Sequence, residues 1–340
     1  MFQHVGRYLL LCTIIICLVL LLQFFLQKPK EILSDTITTE AAYLGGGGHV
    51  LLPNLDNATV VAPDRPHDPS EVRAKDKFER ITRLRTFYVS TNSIGLRSPE
   101  IRSKKPEIRI VCLGDSVTFG WGVAEEDSYP RLLENILAQE GYDVEVINAG
   151  VPAMKPNHIA KWSEQHLRDL NPDIILIARR PDHGTPNPYV AFQDAISKII
   201  HMNLAPVGLI LPPLSTFDVR GNKNYERESK ELQQRISIPT LELTPSFRNH
   251  PEYSGVILQE RNGHQEMISV RDGTLITSGV APPLQPGVSP LASEIVQAFE
   301  EHSSLQEALF FDGGHPDKQG FALFAKEVAT FVKKHFLNSK

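Results

Sequence analysis

The sequence predicts an α/β protein: a parallel sheet covered by helices on both faces, preceded by an apolar N-terminal span. Three observations carry that prediction. From Ile108 onward, short β-branched runs alternate with helical patterns, the order a parallel sheet requires. The run Ile174 to Ala178 is apolar throughout, as a strand covered on both faces must be. The first run, Ile108 to Leu113, stops at Gly114-Asp115-Ser116, a small tight turn where open α/β sheets place their ligands.

The bulk numbers bound the rest. A chain of 340 residues allows one large domain or two modest ones. Hydrophobic content of 41% and charged content of 22% are ordinary for a globular protein. A formal net charge of −5 gives no reason to expect nucleic acid as a partner. Three cysteines argue against a disulfide framework. Cys12 and Cys17 lie in the apolar span and Cys112 in a buried strand, so all three read as inert thiols.

Taken in order, residues 1–30 read as a membrane anchor. Tyr8 to Leu26 is interrupted only by Thr13 and Gln23, and as a helix it rises roughly 28 Å, the thickness of a hydrocarbon core. A cleavable signal peptide is the rival reading, but Gln27, Lys28, Pro29 and Lys30 follow with no small-residue cleavage site. The expectation is an uncleaved anchor with the following domain on the extracytoplasmic, periplasmic side. Residues 31–75 read as a flexible tether, with four glycines at 45–48, Pro53, Pro63, Pro66 and Pro69, and no apolar period. Residues 76–340 then form one domain. Its first part, Phe78 to Pro106, offers a short strand at Phe87-Tyr88-Val89 and a turn at Asn92 to Arg97, packed on the edge of the sheet.

The alternating part follows. Ser128 is positioned to cap a helix with Pro130 in its first turn, a stripe of Leu132, Leu133, Ile136 and Leu137, and Gly141 at its end. A second strand holds Val144, Val146 and Ile147 and closes on Asn148-Ala149-Gly150. Asn157 is the predicted cap of a helix facing inward through Ile159, Trp162, Leu167 and Leu170. After the strand Ile174 to Ala178 come a helix near Tyr189 to Met202 and a strand at Val207 to Leu211. A polar helix at Asn222 to Arg235 and a short strand at Thr240 to Leu243 complete the alternation. The pattern then changes. Asn262-Gly263 and Asp272-Gly273 separate three short runs and signal hairpin turns. An antiparallel insertion over about 254–290 is expected, either a lid over the strand ends or surface decoration. The last element begins at Leu309-Phe310-Phe311, and Phe321, Phe324, Ala325, Val328, Phe331 and Val332 give a helical stripe over Asp317 to Phe336.

Ser116, at the end of a strand, combines an exposed hydroxyl with its own N–H in the same crevice, two of the elements that acyl transfer uses. A base is missing locally. His315, three residues after Asp312, supplies a candidate base and orienter from the far end of the chain. Asp115 is expected to brace the turn, and Trp121 either lines the substrate site or packs in the core. His158, His166, His250 and His264 show no metal-ligand spacing.

Gly114-Asp115-Ser116 after a first strand, Gly150 after a second, and Asp312-x-x-His315-Pro316 near the C-terminus, in that order, resemble the SGNH or GDSL-type esterases and acylhydrolases. The likeness runs over roughly Ile108 to Phe336, with the segment around Asn92 to Arg97. It implies a flavodoxin-like three-layer sandwich. It implies Ser116 as nucleophile, His315 as base, Asp312 as its orienter, and an oxyanion hole built from the N–H groups of Ser116 and Gly150. No metal or organic cofactor is implied. One block departs. Where the family carries an oxyanion-binding asparagine, this chain has Asp182, within Arg179-Arg180-Pro181-Asp182-His183. A carboxylate there repels an oxyanion, so Arg179 or Arg180, His183 or Asn187 become alternative donors. The implied activity is ester hydrolysis through an acyl-enzyme, with O-acylated polysaccharide or another envelope ester as substrate. The alternatives are an acyltransferase of exopolysaccharide synthesis, or a catalytically silent module that keeps the fold for binding or assembly.

Overall fold

The computed structural model of the chain describes residues 31–33, 51–63, 84–181, 188–213, 230–251, 256–261, 264–269, 275–280, 309–310 and 315–337. The span expected at Tyr8 to Leu26, and also Asp182, His183, Asn187 and Asp312, lie outside the described residues. Among the described residues no helix is long and apolar enough to cross a membrane.

The central sheet has five parallel strands: β4 (Ile108–Gly114), β5 (Val144–Gly150), β6 (Ile174–Ala178), β7 (Val207–Leu211) and β8 (Thr240–Glu242). Their spatial order is β5-β4-β6-β7-β8. The chain runs to one side of β4 first and then to the other, so β4 is the point where a crevice opens at the carboxyl ends. Register keeps those ends level, because Gly114 lies opposite both Gly150 and Ala178.

Strand pleating divides the core into two layers. Val111 and Leu113 of β4 join Ile175, Ile177 and Leu209 in one cluster. Helices α3 (Pro156–Leu170) and α4 (Pro188–His201) close that cluster through Trp162 and Phe192. Ile110 and Cys112 face the opposite layer with Ile174, Leu176 and Ile210. Helices α2 (Tyr129–Gln139) and α6 (Lys318–Val332) cover it with Tyr129, Leu133, Phe321 and Phe324. This is the predicted sandwich. Each large side chain so buried contributes about 1.5–3 kcal/mol.

Several local expectations are corrected by the structure. The tether expected over residues 31–75 does not hold at 51–63. There β2 (Ala58–Pro63) pairs with β1 (Glu31–Leu33) in parallel and with β3 (Leu84–Val89) in antiparallel. Leu51 and Val60 join Phe87 and Val89 in the first core cluster, which sequence-local composition cannot reveal. Ser128 does not cap α2 with its side chain; its hydroxyl donates to the Glu125 carbonyl at 2.7 Å. Helix α3 starts at Pro156 with Lys155 ahead of it, one residue before the predicted cap Asn157, because proline at the first position has no N–H to satisfy. A short helix, α5 (Thr244–Arg248), was not foreseen. The hairpin signals were read correctly: Val256–Arg261, His264–Ser269 and Leu275–Val280 form a separate antiparallel sheet.

Candidate active site

Immediately after β4 the chain makes a single helical turn, α1 (Ser116–Phe119). Asp115 caps it, accepting from the Val117 N–H at 3.0 Å. Its other carboxylate oxygen is ion-paired with the Arg179 guanidinium from the end of β6. The anticipated bracing role of Asp115 is therefore what the geometry gives, with Arg179 as its partner. Gly120 ends the turn in the left-handed region at φ 85, which glycine adopts without strain.

Two other glycines are needed for space. A Cβ on Gly114 would lie 2.1 Å from Thr118 Oγ1, and one on Gly150 would lie 2.2 Å from the Phe119 nitrogen. Helix α1 is thus seated directly on the ends of β4 and β5, which brings Ser116 to the lip of the sheet.

His315 arrives from the other end of the chain. Phe310 and Pro316 form an isolated antiparallel bridge, and the Asp317 N–H donates to the Leu309 carbonyl at 2.9 Å. Asp317 then caps α6 by accepting from the Gly320 N–H at 2.8 Å. His315 is held one residue from these fixed points. Its Nε2 lies 2.8 Å from Ser116 Oγ, a hydrogen bond across 199 positions of sequence. Trp121 stands beside the pair, its ring centroid 6.2 Å from the His315 ring and 5.3 Å, edge on, from Phe87. It is buried, so it serves as a wall of the pair and as core at once.

The backbone N–H groups at the strand ends are arranged differently from the expectation. The Gly150 N–H donates to Asn148 Oδ1 at 3.0 Å, so the group assigned to the oxyanion is already engaged, and Gly150 is there for its missing side chain. Pro152 has no N–H. The next one belongs to Ala153, held at φ 59, a conformation that costs a non-glycine residue and recurs at functional turns. Among the described residues the N–H groups of Ser116 and Ala153 have no hydrogen-bond partner. Arg180 is directed elsewhere. Its guanidinium donates to the Pro212 carbonyl at 2.7 Å, to Glu242 at 2.6 Å and to Thr244 at 3.0 Å, all on the β7–β8 side of the sheet. Cys112 is buried, and burial pushes its thiol up to about 12, in keeping with an inert role.

Residues that sequence reasoning passed over also converge here. Asn148 Nδ2 donates to the Phe119 carbonyl at 3.3 Å, and its N–H donates to Ser98 Oγ at 2.8 Å. Arg97 is fully buried against the end of α1. The only signal for either was position, in Asn148-Ala149-Gly150 and in the Asn92 to Arg97 turn.

No protein-family model matches the chain. A stretch of 150 residues is 25% identical to an arylesterase of Vibrio mimicus, covering 42% of this chain and 72% of that protein. Among solved structures, the chain is similar to a lipase/acylhydrolase from Enterococcus faecalis, at TM-score 0.42 and 18% identity over 67% of this chain and 96% of that one. It is also similar to a lipolytic protein of the G-D-S-L family from Desulfitobacterium hafniense, at TM-score 0.39 and 16% identity over 66% of this chain and 99% of that one.

Proposed function

We propose that the chain is a serine-dependent carboxylic ester hydrolase of the SGNH kind. The observation that carries this reading is the 2.8 Å contact between His315 Nε2 and Ser116 Oγ at the carboxyl end of a parallel sheet. The partial identity to an arylesterase agrees with it. Ser116 Oγ attacks the ester carbonyl carbon and its proton passes to His315 Nε2. The bond to the alcohol oxygen breaks as His315 returns that proton to it. Water then attacks the acyl-enzyme, giving its proton to His315, and the acid leaves Ser116 protonated. The N–H groups of Ser116 and Ala153 hold the oxyanion, each such donor contributing about 10²–10³ in rate. Asp312 orients His315 in this scheme. Acyl esters, O-acetylated glycan among them, are the substrate class, and an anchor at Tyr8 to Leu26 holds the domain at a membrane on its extracytoplasmic side.

The departure at Asp182 favours one second reading, a silent binding module. A fluorophosphonate probe separates the two. Ser116 is expected to be labelled covalently, with labelling and turnover of p-nitrophenyl acetate lost by about 10⁴-fold or more in Ser116→Ala and His315→Ala. Failure of the wild-type protein to label, with acetylated glycan still bound, assigns the silent module instead.

A further inference from the structure

The nucleophile turn is one helical turn long, and one turn does not hold itself. Its last carbonyls need partners from elsewhere. Ser116 O is satisfied locally, by the N–H groups of Gly120 at 3.1 Å and Trp121 at 3.0 Å. Val117 O accepts from the Gly120 N–H at 3.2 Å, and beyond it Phe119 O has Asn148 Nδ2 at 3.3 Å and Gly120 O the Val123 N–H at 3.4 Å, both long contacts. The shorter contacts to these carbonyls come from a side chain outside the α/β sheet. Arg97 Nη1 donates to Phe119 O at 2.9 Å and to Gly120 O at 2.7 Å. Its Nη2 donates to Val123 O at 2.8 Å and to Tyr88 O at 3.1 Å. The guanidinium stands over the Phe119 ring, 4.5 Å from its centroid, with the Phe87 ring 5.8 Å away.

That arrangement is costly. The side chain is fully buried, and no carboxylate pairs with it among the described residues. Burial lowers its pKa to about 10, against the opposing charges of Glu125 and Glu126. A methionine or leucine fills such a volume without desolvating a charge. What an apolar residue lacks is a rigid fork that reaches four carbonyls at once, and a lysine lacks the fork too.

The loop that delivers Arg97 is itself fixed. Asn92 Oδ1 accepts from the Leu96 N–H at 2.9 Å, and Asn92 Nδ2 donates to the Pro99 carbonyl at 3.1 Å. Ser98, the next residue, accepts from the Asn148 N–H at the end of β5. Arg97 and Ser98 therefore bind the helix that carries Ser116 and the strand end beside it in one step.

We propose that Arg97 is a positioning residue for Ser116: its guanidinium caps the carboxyl end of α1 and fixes the turn against His315, so the segment ahead of the sheet completes the catalytic site. This rests on the hydrolase reading for its kinetic consequence, but not for its structural one.

The experiment takes Arg97→Lys and Asn92→Ala in the full chain. It measures amide exchange over 116–123, the rate of fluorophosphonate labelling, and kcat and KM on p-nitrophenyl acetate. In Arg97→Lys, exchange over 116–123 is expected to rise about tenfold or more while 108–113 and 144–148 keep their protection. Labelling rate and kcat fall together by about 10²-fold, the loss that a displacement of about 1 Å brings. KM stays within about twofold, because binding of the ester is untouched. Asn92→Ala moves the same quantities in the same direction by less. A folded Arg97→Lys protein with wild-type kcat and labelling overturns the proposal, as does a loss that accompanies faster exchange throughout the sheet. If Arg97→Lys does not fold, Asn92→Ala decides, and unchanged exchange over 116–123 then overturns it. If wild-type protein is not labelled, the hydrolase reading falls. Exchange over 116–123 still decides whether Arg97 holds the turn.

Discussion

Arg97 and Arg109 are both buried, one beyond the carboxyl end of β4 and the other on its amino end, and their surroundings differ in kind. Arg109 has a carboxylate: its Nε donates to Glu145 at 2.7 Å, with Leu170 O at 2.9 Å and Arg102 O at 3.1 Å completing the fork. Nearby, Lys105 pairs with Asp173 and Arg102 with Asp143, so the amino end of the sheet is fastened by opposite charges. Arg97 has only carbonyls and ring faces. Charge pairing staples strands that never need to present anything. At the other end an ordered cation holds a short turn in one place, and stability is given up for that placement. The distinction separates scaffold from site within a single sheet.

The largest expected effect attacks the scaffold. Arg109→Met leaves the Glu145 carboxylate buried without its cation and is expected to lower unfolding stability by about 3–5 kcal/mol in urea titrations. At temperatures where the variant is folded, kcat is expected to be unchanged. A kcat loss there erases the division between the two ends. Gly150→Ala attacks the site end. Its Cβ meets the Phe119 nitrogen at 2.2 Å, so α1 must move. The expected cost is about 1–3 kcal/mol of stability, with kcat lowered by about 10²-fold. Wild-type kcat in this variant shows that the turn tolerates displacement.

The smallest effect probes the interior between the two ends. The Cys112 thiol, ordinarily at 9.0, is pushed up to about 12 by burial. The unfolded chain therefore loses this proton first as pH rises above 9. The folded state becomes less stable from pH 9 towards 12, by up to about 1.4 kcal/mol per unit. Cys112→Ala removes that slope. The stability difference between wild type and variant is expected to narrow by about 1 kcal/mol from pH 9 to pH 10, read from denaturant melts. A constant difference shows that the thiol does not stay protonated in the fold.

The sheet was legible in the sequence because each strand announces itself locally. Ile174 to Ala178 is apolar on every residue, and Phe321 to Val332 keeps a helical period. Ser116 and His315 were legible for another reason: their neighbours, Gly114-Asp115 and Pro316, form short patterns that survive without knowledge of the fold. What escaped depends on distant partners. Val60 lies in a segment punctuated by prolines, and only pairing with β1 and β3 makes that segment a strand. Arg97 lies in a polar turn, where one arginine looks like any solvated cation. Gly150 was read as a donor because the resemblance to SGNH-type esterases implies a donor glycine after the second strand, whereas its N–H is taken by Asn148 and contact with Phe119 is what excludes a side chain there. The cap of α3 was misplaced by two residues, at Asn157 rather than Lys155, because proline and asparagine both mark helix beginnings.

The chain has two tryptophans, Trp121 and Trp162, and each has a histidine ring near it, His315 at 6.2 Å and His166 at 5.1 Å. With Trp162 replaced by phenylalanine, the emission that remains comes from the indole beside the Ser116–His315 pair. The protein thus carries its own optical reporter for that corner of the fold, with no dye attached.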